Sequence, residues 1–227
     1  MLTVFSSNGI RAVLLAVAPD FERASGHKLA ITFNPANVLK EAIDAGAAFD
    51  VAILTPPVMD AAIAGGRIAP ASRRTIARTG CGVAVLLGAP KPDISTVEAF
   101  AQALANARSI AATKQGASGM QFARVIERLG IADAVAPKTK WQAGGLTGDL
   151  VARGEVELAV QLLSELKAVS GGIDIVGPFP PELQDYAVMV AGVGSQAREP
   201  AAAAALIAAL TSERARPILE RMGMEPA

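Results

Sequence analysis

One cysteine, one histidine, one tryptophan and one tyrosine occur among 227 residues, and aromatics make up only 4% of the chain. A single Cys81 excludes an intrachain disulfide and any multi-cysteine metal site. Set in the apolar stretch TGCGVAVLLG, it reads as a small core residue. A single His27, far in sequence from Cys81, excludes a paired-histidine metal site and argues against a Cys–His dyad. An excess of one charge is also missing, since Lys+Arg and Asp+Glu both number 21. Nucleic-acid binding rests on a basic surface, so no nucleic-acid partner is expected. No apolar run reaches the roughly 18–20 residues of a membrane span, so no membrane insertion is expected. No Gly-Lys-Ser/Thr closes a Gly-rich loop, and no G-x-G-x-x-G follows a strand. GASGM is not a nucleophile elbow, because Met120 stands where the last glycine would be. No cofactor and no metal are expected.

What the chain does have is aliphatic bulk in a regular order. Hydrophobic residues form 52% of it, mostly Ala, Val, Leu and Ile, enough for a well-packed core. Strand and helix patterns alternate: LTVF, then IRAVLLAVAPDFERASG; KLAITF, then ANVLKEAIDAG; FDVAIL, then PPVMDAAIAGG. Ser95 with Glu98 predicts a capping box for the helix that follows. This alternation predicts an α/β fold with mostly parallel sheets flanked by helices. Two long apolar strands, near 80–88 and 185–194, bracket a self-contained α/β segment. The expectation is therefore two lobes: 1–84 with 190–227, and 85–189, joined by hinge strands near 82–86 and 187–191.

Three strand-to-helix turns are made of small and polar residues. SSNG supplies Ser7, Asn8 and Gly9; NPAN supplies Ala36 and Asn37; KQGASG supplies Ala117 and Ser118. Helix starts expose unpaired N–H groups and the positive end of the helix dipole, which suits an anion. Ser and Asn are also ordinary helix caps, so any one turn alone means little. Three together favour binding of a small anionic ligand.

With those residues in view, the chain resembles the molybdate-binding family of periplasmic solute-binding proteins, the receptors of ABC importers with a type II two-lobed fold. The similar stretches are LTVFSSNGIRAVL, ITFNPANVLKEAIDAGAAFDVAIL, GASGMQFARVIERLG, VARGEVELAVQLLSEL and GIDIVGPFPPELQDYAVMVAGV. The resemblance implies lobes that close on an oxyanion by hinge motion, a transporter membrane component as partner, and a periplasmic location. It also implies ligand contacts near Ala36, Ser118, Gly144 and Gly145. Two family positions differ here, a first-turn Ser replaced by Gly9 and a Tyr replaced by Leu162, with Gln161 beside it. Those changes turn the expectation from molybdate toward an organic carboxylate. Asn8, Asn37 and Gln161 are further donors for one, and Arg11, Arg78 and Lys114 are possible carboxylate anchors.

One catalytic alternative follows from the same resemblance, isomerisation of a small unsaturated carboxylic acid, as in aconitate isomerase. It needs a proton acceptor and donor, for which Glu165 and Tyr186 are the candidates. A transcriptional effector domain on this fold would need N-terminal DNA-binding helices, and the first segment is a strand. No leader precedes that strand, so a cytoplasmic chain stands as the alternative to a periplasmic one.

Overall fold

The computed structural model describes all residues, Met1–Ala227. In chain order the first elements are β1 (Leu2–Ser7), α1 (Arg11–Ser25), β2 (Leu29–Asn34), α2 (Ala36–Asp44), β3 (Val51–Leu54), α3 (Pro56–Ala64) and β4 (Arg74–Thr79). Next come β5 (Cys81–Leu86), α4 (Val97–Asn106), β6 (Ile110–Thr113), α5 (Ala117–Arg128), α6 (Ala132–Val135) and β7 (Thr139–Gln142). Then follow α7 (Thr147–Ala152), β8 (Leu158–Leu162), α8 (Leu163–Leu166) and β9 (Ile173–Pro178). The chain ends with β10 (Ala187–Val193), α9 (Pro200–Leu210), α10 (Arg216–Arg221) and β11 (Glu225–Pro226). It divides into two compact units, Met1–Arg78 with Val188–Ala227, and Thr79–Ala187.

Unit 1 is built on a six-stranded sheet in the order β11-β4-β10-β3-β1-β2. β1 runs parallel to β2 and β3, and β10 runs antiparallel to β3. Every residue of β3 is buried, as a strand covered on both faces requires. Its core gathers Leu39, Ile43, Leu54, Met59 and Ile68, with Phe5 stacked on Phe49. Asp50 is buried and knits this unit together. Its carboxylate accepts from the backbone N–H of Thr3 at 2.8 Å and of Arg198 at 2.7 Å, and so joins β1 to the segment entering α9.

Unit 2 carries a five-stranded sheet in the order β7-β6-β8-β5-β9. β6 runs parallel to β7 and β8, while β5 is antiparallel to β8 and β9. β6 and β8 are buried throughout. Phe100 against Phe179 and Phe122 against Trp141 supply most of the aromatic packing.

The run TGCGVAVLLG is not one strand. Thr79 ends β4 in the first sheet, and β5 begins at Cys81 in the second. Gly80 makes the step, and a side chain there would meet Gln184 at 2.6 Å. The first crossing between units therefore falls at Arg78–Thr79, ahead of the expected 82–86, and the second falls at Ala187–Val188. The helix start near residue 95 also differs. Thr96 is the cap, accepting from Ala99 N–H at 3.1 Å, while the Ser95 N–H donates to Asp93. The α/β class with flanking helices is as the sequence predicts, but the sheets are mixed rather than mostly parallel, because β5, β10 and β11 pair antiparallel with their neighbours.

Candidate functional site

In unit 1, β1 and β2 pair in register from Leu2↔Leu29 to Ser7↔Asn34, so both strands finish at the same level. The SSNG and NPAN turns consequently lie side by side. Ser7 ends β1 and leads into a single 3-10 turn, Asn8–Ile10, before α1 begins. Ser7 is only 5% exposed, and its Oγ has no hydrogen-bond partner. Leaving a buried hydroxyl unpaired costs about 1–3 kcal/mol, so such atoms call for a reason. Gly9 is buried behind it. At α2 the cap is Pro35, whose carbonyl accepts from Val38 and Leu39 at 3.0 and 3.1 Å. Ala36 and Asn37 therefore occupy the first helical turn, where N–H groups have no place in the helical ladder. The neighbouring β3–α3 turn is different. Its helix opens Pro56-Pro57, two residues without N–H groups.

Arg11, the first residue of α1, lays its guanidinium 4.5 Å from the centroid of the Phe33 ring on β2. It forms no ion pair. The contact is a cation–π one, and it leaves the guanidinium without a carboxylate of this chain. Arg78 is placed otherwise. It is ion-paired with Glu225 at 2.6 Å where β4 meets β11, and is therefore already committed to a carboxylate of this chain.

In unit 2 the parallel strands β6, β7 and β8 also end together in turns. Thr113 stands opposite Gln142, and the Lys114 N–H donates to the Gln142 carbonyl at 2.6 Å. The Lys114 side chain is exposed beyond it. α5 then starts at Ala117 after Gly116, which adopts a positive φ of 96°. Ser118 is buried and shares a hydrogen bond with Thr113 Oγ1 at 3.3 Å. Gly119 has to be glycine, because a Cβ there would lie 1.9 Å from the Thr113 carbonyl oxygen. This contact seats the start of α5 directly on the end of β6.

The Gly144–Gly145 turn precedes α7 and is exposed, with open space where side chains would be and Gly145 at φ 89°. Gln161 on β8 lies behind it, 1% exposed. Its Oε1 accepts from the Thr147 N–H at 2.8 Å and Thr147 Oγ1 at 3.0 Å, while its Nε2 donates to the Gly145 carbonyl at 2.9 Å. A polar residue in an apolar strand signals a buried partner, but Thr147 could not be identified from the sequence as that partner. Gln142 Oε1 is a second buried polar atom with no partner.

Glu165 follows in α8 and is part-buried. It sits three residues after the cap Leu162. Loss of hydration on burial pushes its pKa up to about 7, against the opposing pull of the Leu162 backbone and the Gln161 side chain. Tyr186 is 40% exposed, just before β10. Cys81 is fully buried, donates to Gln121 Oε1 at 3.0 Å, and has its thiol pKa pushed well up by burial. It is a core residue, as its sequence setting predicts.

A groove of about 840 Å³ in unit 2 lies elsewhere, lined by residues such as Asn106, Ser109 and Glu157 before β6 and β8. That is the amino end of the parallel strands, whereas ligands of open α/β sheets gather at the carboxyl ends. The turns described above are all at carboxyl ends.

Comparison with known proteins bears on the fold and the family. A curated relative, aconitate isomerase from Pseudomonas sp, is 36% identical over 231 residues, covering 99% of this chain and 87% of its own. The periplasmic molybdate-binding protein of Azotobacter vinelandii superposes with a TM-score of 0.81 at 21% identity, covering 99% of this chain and 98% of its own. Peb3 from Campylobacter jejuni superposes with a TM-score of 0.71 at 14% identity, over 99% of both chains. The fold is thus that of type II periplasmic binding proteins, the class the sequence resemblance names. No helix is long and apolar enough to cross a membrane. The model of the bacterial extracellular solute-binding proteins matches residues 2–225, and the chain belongs to that family.

Proposed function

We propose that this solute-binding protein takes a small unsaturated organic acid of the aconitate class and isomerises it. The observation that carries the reading is Glu165, a part-buried carboxyl in α8, just beyond the end of β8, whose pKa is pushed up to about 7 by burial. A group poised there can accept and return a proton at neutral pH. The chemistry is a proton shift. Glu165 as carboxylate removes a proton from the methylene carbon next to the double bond. The electron pair spreads through the allyl system into a substrate carboxylate. The same proton, or one exchanged with water, is returned to the far allylic carbon, and the double bond has moved. The reaction is redox-neutral and consumes nothing else.

Binding would fall to donors at the strand ends. Ser7, Asn8, Ala36 and Asn37 with Arg11 supply them in unit 1. Ala117, Ser118, Gly144 and Gly145, with Lys114 nearby, supply them in unit 2. Arg11, with no acidic partner of its own, and the replacement of the family's first-turn Ser by Gly9 both favour a carboxylate over molybdate. The 36% identity to aconitate isomerase over nearly the whole chain favours the same class.

A second reading is supported by the family match and by the molybdate-binding fold neighbour. In it the protein is an uptake receptor that delivers a carboxylate to an ABC transporter membrane component, outside the cytoplasm. One experiment separates the two. Purified protein is mixed with cis- or trans-aconitate and the ultraviolet absorbance is followed. Conversion that is lost in Glu165→Gln supports the isomerase. Calorimetric binding without conversion overturns catalysis and leaves the receptor.

A further inference from the structure

Two buried side-chain polar atoms have no hydrogen-bond partner, Ser7 Oγ in unit 1 and Gln142 Oε1 in unit 2. Each belongs to the last residue of a strand, Ser7 to β1 and Gln142 to β7. Both strands run parallel to a neighbour, so both atoms lie at carboxyl ends, where the chain turns toward a helix. Leaving a buried polar atom unpaired is destabilising, and the strand ends of unit 2 otherwise avoid it. Thr113 is paired with Ser118 there, and Gln161 with Thr147. Gln142 had an easier alternative as well. β7 is an edge strand, so a long polar side chain on it has water within reach. Its oxygen is covered all the same, although the residue as a whole is only part-buried.

The register places this side chain. Successive residues of a strand point to opposite faces, and residues paired in register share a face. Trp141 packs its ring against Phe122 of α5, so Gln142 leaves by the other face, together with its partner Thr113. Thr113 carries the hydrogen bond to Ser118, and the Lys114 N–H donates to the Gln142 main-chain carbonyl at 2.6 Å. After Gln142 the chain passes through Ala143 into Gly144–Gly145. Gln142 thus stands between the two turns of unit 2 to which ligand donors have been given.

We propose that Gln142 is a specificity-determining contact, whose amide turns its NH2 group inward to donate to a carboxylate of the ligand. A primary amide carries donors at one end and acceptors at the other, on groups of nearly the same shape. No bond holds the oxygen, so turning the amide over forfeits nothing at that end. A neutral donor then joins the backbone N–H groups, at a place where an acidic side chain would repel the ligand. The proposal rests on the carboxylate reading for its ligand, and not on turnover.

The test is calorimetry of trans-aconitate together with thermal unfolding of the ligand-free protein. Gln142→Met keeps the length of the side chain and removes both polar atoms. Its binding is expected to be about tenfold weaker, the loss of one hydrogen bond to a charged group. Its melting temperature is expected to be unchanged or up to about 3 °C higher, because an unpaired buried oxygen has gone. Gln142→Glu keeps the shape and sets a carboxylate at the same place, and is expected to bind at least about 100-fold more weakly than the wild type. If Gln142→Met fails to fold, Gln142→Ala makes the same comparison. Unchanged affinity in the folded Met or Ala variant, with a lowered melting temperature, would make Gln142 a structural residue and overturn the proposal. Binding by Gln142→Glu as tight as that of the wild type would overturn it too. A wild-type protein that does not bind trans-aconitate would instead overturn the carboxylate reading. The variants are then titrated with molybdate, whose oxygens also accept: weaker binding in Gln142→Met keeps the contact, and unchanged affinity removes it.

Discussion

The strand-end turns of the two units differ in how far their polar groups are paired. In unit 1 the polar groups are left open: Ser7 Oγ is buried without a partner, and Arg11 is stacked on Phe33 without an acid. In unit 2 most are bound to each other, Ser118 to Thr113 and Gln161 to Thr147 and Gly145, with Gln142 Oε1 the buried atom left unpaired. A buried open donor such as Ser7 gains most when an anion arrives, because its desolvation has already been incurred. Closed networks hold a geometry whether or not the ligand is present, as proton transfer requires.

The contrast breaks most visibly at Glu165. Glu165→Gln should lower aconitate turnover by about 10²–10⁴-fold, the usual worth of a general acid–base group. Binding should change little, as steady-state absorbance and calorimetry would show. Next in size is Gly119→Ala. Its added methyl cannot coexist with the Thr113 carbonyl at 1.9 Å, so α5 must lift from β6. A cost of about 2–3 kcal/mol in urea unfolding is expected, in the range of overpacked cores, with loss of anion binding. In unit 1 the scaffold counterpart is Asp50→Ala. It strands the buried N–H groups of Thr3 and Arg198 and should also cost about 2–3 kcal/mol, with smaller effects on ligand chemistry.

Arg11→Leu should weaken aconitate binding about tenfold and flatten its dependence on salt. Ser7→Ala gives the smallest effect and the sharpest test of the contrast. Removing an unpartnered buried hydroxyl should leave the ligand-free protein equally stable, or more stable by up to about 1 kcal/mol, while weakening binding severalfold. Ser118→Ala, whose hydroxyl already has a partner, should lower both stability and binding.

The same difference sets a pH dependence. Glu165 has a folded pKa near 7, above its ordinary value of 4.5. Between these values the folded state holds the extra proton, so stability must fall as pH rises from about 4.5 through about 7. Glu165→Gln should remove that slope, as melting temperatures across the range would reveal.

Much of the fold was legible because it is local. Alternating strand and helix patterns place β1, α1, β2, α2 and β3 within a few residues, and the long buried strands show as unbroken aliphatic runs. β4 was not seen, because RTIART presents exposed Arg and Thr beside the buried Ile76 and Ala77. The pairing of β11 with β4 joins Glu225 to Arg78 across 147 residues, which no local pattern encodes. Arg78 accordingly reads in the sequence as a spare cation. The site shows the same limit. Small residues at strand ends are visible, but whether a donor is open or already bound is decided by residues such as Thr113 and Thr147, which look ordinary in sequence. Gln161 is visible as a polar residue in an apolar strand, but its partners Thr147 and Gly145 are not.

The central claim is that these strand ends select a carboxylate. Its most direct test is competitive calorimetry of trans-aconitate and molybdate on the wild-type protein. The account predicts micromolar binding of trans-aconitate, roughly 8 kcal/mol, with molybdate at least 100-fold weaker. Molybdate binding as tightly as aconitate, or more tightly, would contradict it.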